Sequence, residues 1–162
     1  MRYHRYSITF NEIPSEISLC ISITGCDGPC SGCHSPFLHN PSNGQYLSFE
    51  FYQELLDKYQ GQITTVCFLG GEWYLDPLNE MLKEAKKRSI KTALYTSLNY
   101  KDVPRKLKHN LTYLKVGPYT PGLGGLESVI TNQRLYLLKP KKTDITHKFW
   151  PLAKPKINKK RK

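Results

Sequence analysis

Apolar and polar positions follow two rhythms along this chain. Residues 16–24 (EISLCISIT) are rich in Ile, Leu and Ser and stop at Gly25, as a strand does. Residues 48–59 (SFEFYQELLDKY) bring Phe49, Tyr52, Leu55, Leu56 and Tyr59 to one face at helical spacing. Ser48 is placed to cap that helix, and Glu50 suits its first turn, where the helix dipole favours an acid. Residues 63–69 (ITTVCFL) are short, apolar and β-branched, the pattern of a buried parallel strand, and end at Gly70-Gly71. Asp76-Pro77 predicts the next helix start, with Asp76 as cap and Pro77 in the first position. Leu78, Met81, Leu82 and Ala85 share its inner face, and Lys86, Lys87 and Arg88 close it. Residues 92–96 (TALYT) predict a strand, and a short helix follows Asp102. Residues 111–116 (LTYLKV) predict another strand, stopped by Gly117-Pro118; a turn at 122–125 and a last short strand at 134–138 complete the pattern. Strands alternating with helices predict βαβ units and a parallel sheet, and no internal repeat is visible.

Composition adds bounds. The chain has 162 residues, the size of one domain, with 39% hydrophobic residues and 12% aromatic ones. Five cysteines, an odd number, with no apolar leader behind the arginines of MRYHRYSITF, argue against a disulfide scaffold. No apolar run reaches the ~18 residues a membrane span needs. The expectation is a soluble, cytoplasmic protein of a reducing compartment. The net charge of +11 is uneven. Residues 139–162 hold ten Lys or Arg against Asp144 alone, a net of +9, while residues 1–138 carry 14 basic and 12 acidic groups, a net of +2. The expected organisation is therefore a core domain at 1–138 and a flexible basic tail at 139–162. As a charge run, the tail reads as solvated chain; as a functional element, it reads as a docking segment for an acidic protein surface or, less readily, nucleic acid. Phe149, Trp150 and Pro151 interrupt its charge and suit an interface anchor.

The chemistry-bearing stretch is GCDGPCSGCHSP, residues 25–36. Cys26, Cys30 and Cys33 fall within eight residues, spaced C-x3-C-x2-C, with Gly25, Gly28 and Gly32 between them. The loop directly follows a strand, and ligands collect at the C-terminal ends of parallel strands. A structural zinc site needs four protein ligands, normally in two pairs, and no second pair exists here. His34 adjoins Cys33 and is poorly placed to share one small ion; His39 is the better fourth zinc ligand. A 4Fe–4S cluster usually takes four cysteines, so three leave one iron open to a substrate or cofactor. Glycines let backbone bend around a bulky cluster and bring N–H groups to its sulfurs. Cys20 and Cys67 lie inside predicted strands and read as small core residues.

C-x3-C-x2-C after the first strong strand resembles the signature of radical S-adenosylmethionine (SAM) enzymes. Gly70-Gly71-Glu72, about 40 residues later and at a strand end, resembles their GGE motif. Residues 114–119 (LKVGPY) and 124–136 (GGLESVITNQRLY) are similar to one short subfamily, the anaerobic ribonucleoside-triphosphate reductase activating proteins. The resemblance covers residues 1–138. It implies an α/β fold, a small, open, incomplete (βα) barrel of mainly parallel strands.

It also implies a reaction and its site. Cys26, Cys30 and Cys33 would hold three irons of a 4Fe–4S cluster, and SAM would chelate the fourth through its amino and carboxylate groups. Gly70, Gly71 and Glu72 would lie along the methionine part of SAM, and Thr96 and Ser97 would touch the cofactor at the next strand end. The reduced cluster would pass an electron to the sulfonium, giving methionine and a 5′-deoxyadenosyl radical. That radical would take a hydrogen from a glycine Cα of the partner, the large glycyl-radical subunit of the anaerobic reductase. An electron donor such as a flavodoxin is implied, and no membrane. No catalytic side chain is implied beyond the cluster and SAM. Two departures stand out. Gly32 occupies the place where many radical SAM enzymes have an aromatic residue against adenine, a contact that His34 is expected to take over. Trp73 replaces the Pro that often follows GGE. Trp73 and Tyr74 read equally as pocket walls or as packing; His4, His109 and His147 carry no assigned role. The alternatives are a zinc-stabilised nucleic-acid-binding protein and a radical SAM enzyme with another substrate.

Overall fold

A computed structural model describes residues 1–28, 32–33 and 35–150. Eight strands form one open sheet: β1 (Arg2–Thr9), β2 (Ser18–Ile23), β3 (Gln45–Tyr46), β4 (Thr65–Leu69), β5 (Lys91–Tyr95), β6 (Tyr113–Val116), β7 (Arg134–Leu137) and β8 (Thr143–Asp144). Three helices accompany them: α1 (Phe49–Lys58), α2 (Leu75–Lys87) and α3 (Arg105–Asn110). The strand order is β3-β1-β2-β4-β5-β6-β7-β8.

The expected incomplete barrel of mainly parallel strands does not form. Only β2–β4, β4–β5 and β5–β6 pair in parallel; β1–β2, β1–β3, β6–β7 and β7–β8 pair antiparallel. The sheet is mixed and mostly antiparallel by ladder, and its edges, β3 and β8, do not meet. Connection length explains this. Parallel neighbours need a crossover of a dozen or more residues, normally through a helix. The short links at 10–17 and 138–142 do not reach that far, and 117–133 contains no helix. The helical crossovers are confined to the centre of the sheet.

That centre positions the site. β2 and β6 are buried along their whole length, and β4 and β5 along most of theirs. The crossovers β2–β4–β5–β6 all step the same way, and right-handed crossovers of that kind put their helices on one face. Leu19, Ile21 and Ile23 of β2 and Val66 and Phe68 of β4 meet Tyr52, Leu55 and Leu56 of α1 and Leu78, Met81, Leu82 and Ala85 of α2 in that core. Alternate residues form the opposite face, where Cys20, Cys67, Ala93 and Tyr113 stand in register. Its cover comes from loop residues Ile13, Leu126 and Ile145. Cys20 and Cys67 are therefore core residues on the loop-covered side.

Residues 139–150 belong to the sheet and its cover. β8 pairs with β7, Ile145 and Thr146 are buried, and the Thr146 hydroxyl accepts from the Leu135 N–H at 2.9 Å. The remainder of the expected tail, 151–162, lies outside the described residues, as does Pro151 of the expected anchor. Among the described residues no helix is long and apolar enough to cross a membrane.

Candidate metal centre

The C-terminal ends of β2, β4 and β5 converge on one cleft of about 180 Å3. β2 delivers Cys26 and Cys33, β4 delivers Gly70 and Glu72, and β5 delivers Thr96 and Ser97, all on its walls. Gly71 is buried, and a Cβ added to it would stand 3.2 Å from the Ile23 side chain. Cys30 and His34 lie outside the described residues.

Both described loop cysteines receive backbone donors. The Gly28 N–H points to Cys26 Sγ and the Ser35 N–H to Cys33 Sγ, each at 3.4 Å. Such N–H···S contacts stabilise thiolate and tune the electronics of a metal bound to it. The loop comes close to the end of β5 at Gly28: a Cβ there would sit 2.8 Å from Ser97 Oγ. Gly70 adopts φ +79°, and a Cβ would stand 2.6 Å from the Trp73 ring. Trp73 closes over that turn and donates from Nε1 to the Thr24 carbonyl at 3.2 Å, so it both packs and lines the cleft.

Glu72 is the electrostatic feature. Its Oε1 accepts from the Thr96 hydroxyl, which in turn accepts from the Leu98 N–H at 3.0 Å. Its Oε2 is buried with no hydrogen-bond partner among the described residues. Burial pushes the carboxyl pKa up, opposed by the Thr96 hydrogen bond. A buried acceptor with no donor is costly and points to a donor supplied by a ligand.

A second cleft of about 610 Å3 shares Tyr95 and Lys115 with the first. These two residues are ladder partners on β5 and β6. Asn11, Glu12, Tyr119, Leu126, Gln133 and Phe149 are among its walls. The Lys115 ammonium is buried and donates to the Gly117 carbonyl at 2.9 Å. Tyr95 donates to the Glu12 carbonyl.

The cleft thus joins Cys26, Cys33, Gly70, Glu72, Thr96 and Ser97. It adds Tyr95, Lys115, Trp73, Ser35 and His39, to which sequence reasoning gave no place there except as alternatives. A lysine inside the apolar strand LTYLKV was the available signal for Lys115; for Tyr95 there was none, because its place follows from register. Among the described residues no three of His, Cys, Asp and Glu converge on a point that one metal ion would fill. The donor set of thiols with backbone N–H support fits an iron–sulfur cluster, a group larger than an ion. The model of a family described as the 4Fe-4S single cluster domain matches residues 17–117. No curated protein and no solved structure matches the chain.

Proposed function

The chain belongs to the 4Fe-4S single cluster domain family, and from that membership we propose that it is a radical SAM activase, which generates a glycyl radical on an anaerobic ribonucleotide reductase. An iron–sulfur-dependent function follows from the family; SAM, the radical and the partner are the finer reading. The observation that carries it is Glu72: a buried, unpartnered carboxylate oxygen in the same cleft as two cluster cysteines. The ammonium of a SAM methionine group is a donor of the right charge for it.

A cluster held by Cys26, Cys30 and Cys33, given one electron by a donor, would with bound SAM supply methionine and a primary carbon radical able to take a hydrogen atom from a glycine Cα. The chain's own residues hold and shield. Thr96 orients the Glu72 carboxylate, and Gly28 lets the cysteine loop approach Ser97 closely. Trp73 and Leu38 exclude water from the cleft walls. The larger cleft beyond Tyr95 and Lys115 gives a protein segment of the partner its approach. A flavodoxin-type protein is the proposed electron donor.

The test is anaerobic reconstitution followed by iron and sulfide analysis, then Mössbauer spectroscopy with and without SAM. Four irons per chain, one of them shifted by SAM, is the expected result. Mixing with the reductase, reductant and SAM should then give a glycyl radical doublet by electron paramagnetic resonance. Four irons with no site responsive to SAM would refute the reading.

A further inference from the structure

A cluster held by three cysteines would have one iron without a protein thiolate, and His39 lines the same cleft as Cys26 and Cys33. Residues 35–44 fold back against the start of the cysteine loop. The N–H groups of Gly25 and Cys26 both donate to the Leu38 carbonyl, at 2.7 and 3.2 Å. The next residue, His39, puts Nδ1 at 2.7 Å from the Cys26 carbonyl oxygen. A carbonyl oxygen only accepts, so Nδ1 carries the proton. In the neutral ring this fixes the tautomer and leaves the lone pair on Nε2. A backbone carbonyl holding one ring N–H is the arrangement that prepares the other nitrogen to bind a metal. His39 lines the same cleft as Cys26 and Cys33, and among the described residues no hydrogen bond to Nε2 is seen.

We propose that His39 Nε2 is an exchangeable fourth ligand of the cluster, bound to the open iron until SAM displaces it. The inference rests on the SAM reading above. Imidazole is a suitable ligand for iron and, being neutral, is more readily displaced than a thiolate. SAM competes with two donor atoms against one. The histidine is solvent-exposed, so the ring leaves at the cost of its single bond to Cys26. In the resting protein it shields the iron that would otherwise face solvent, and SAM removes the shield only when it occupies the site.

The test uses full-length protein, reconstituted and reduced without oxygen, in unlabelled and 15N-histidine forms. Pulsed electron paramagnetic resonance reads nitrogen bound to the cluster. The expected result is a strong nitrogen coupling that changes with the label and disappears when SAM is added. His39→Ala removes both the ligand and the bond to Cys26. His39→Gln keeps a donor for the Cys26 carbonyl and so separates ligation from loop positioning. His39→Gln is expected to load four irons, to lack the nitrogen coupling and to bind SAM about ten-fold more tightly, having lost a competitor. Wild-type protein that loads four irons and responds to SAM, yet shows no histidine coupling, overturns this inference and leaves the SAM reading intact. A coupling that persists in His39→Gln belongs to another ring and also overturns it. A chain that never loads four irons, or whose spectrum ignores SAM, brings down both.

Discussion

A carboxylate in a cleft with an unsatisfied oxygen works against the apoprotein, and Glu72 is such a group. Its folded pKa is raised from an ordinary 4.5, chiefly by burial. The folded state therefore takes up this proton more readily than the unfolded chain. The favourable contribution is present below the ordinary value and is lost as pH rises through the raised one. Glu72→Gln is expected to raise the apoprotein melting temperature at pH 7 by about 2–4 °C, the shift for ~1 kcal/mol at this size. The same change should weaken SAM binding about ten-fold or more by anaerobic calorimetry, since it removes a charge-assisted bond. A lower melting temperature would contradict the assignment. Among the thiols, Cys26→Ala, Cys30→Ala and Cys33→Ala should each abolish cluster binding by iron analysis. Cys20→Ala and Cys67→Ala should keep the iron and cost about 1–2 kcal/mol of packing in denaturant titrations. At this scale a local pattern can be read directly, thiols at fixed spacing and glycines before an acid at a strand end, and Cys26, Cys33, Gly70 and Glu72 line one cleft. His39 entered only as the alternative zinc ligand, and Tyr95 not at all, because their placement follows from a loop folding back and from strand register.

Elements show the same division. The helix expected at 48–59 forms over Phe49–Lys58, with Ser48 Oγ accepting from the Phe51 N–H at 3.0 Å. The next helix starts earlier than expected, at Leu75, and Asp76 is no cap. The Asp76 carboxylate instead pairs with Lys106 of α3, a partner 30 residues away that a local pattern does not reveal. β1 was missed because Arg2, His4 and Arg5 break its apolar alternation; of its eight residues only Tyr3 is buried. Below β5, Glu16 anchors the sheet end, accepting from Lys91 Nζ and the Tyr113 hydroxyl, both at 2.6 Å. Burial tends to raise its pKa, but hydrogen bonds from Lys91, Thr64 and Tyr113 and the Lys91 charge outweigh it and leave it below 4.5. A depressed carboxylate stabilises the fold above its unfolded value, and the contribution is lost as pH falls through the lower folded one. Thermal melts between pH 6 and pH 3 should thus fall more steeply for wild type than for Glu16→Gln. Glu16→Ala should cost about 2 kcal/mol at pH 7, less than a fully buried pair because Lys91 is half in water. Parallel slopes for wild type and Glu16→Gln would refute this role.

For the whole molecule, the parallel centre was legible from alternating periods, and the antiparallel flanks were not, because strand direction at an edge depends on connection length. The boundary expected at 138 fell inside the sheet for the same reason: β8 is only two residues long, Thr143–Asp144, and lies within a charge run. A truncation that tests docking by the basic segment must therefore start at residue 151. Residues 151–162 carry six of the ten cationic side chains beyond 138 and no acidic one. Removing them is expected to weaken association with the reductase at low salt, with the difference fading as ionic strength passes ~0.1 M, where screening sets in within about 10 Å. Equal binding by both chains at every salt concentration would rule the segment out. The cysteine loop, finally, hangs from a sheet whose main core, among the described residues, includes neither Cys26 nor Cys33. Small zinc domains unfold when their metal leaves; this scaffold keeps its own reasons to stay folded. Oxygen that strips the inorganic centre would leave an intact chain ready for reloading, so damage becomes an interruption of service and not the end of the molecule.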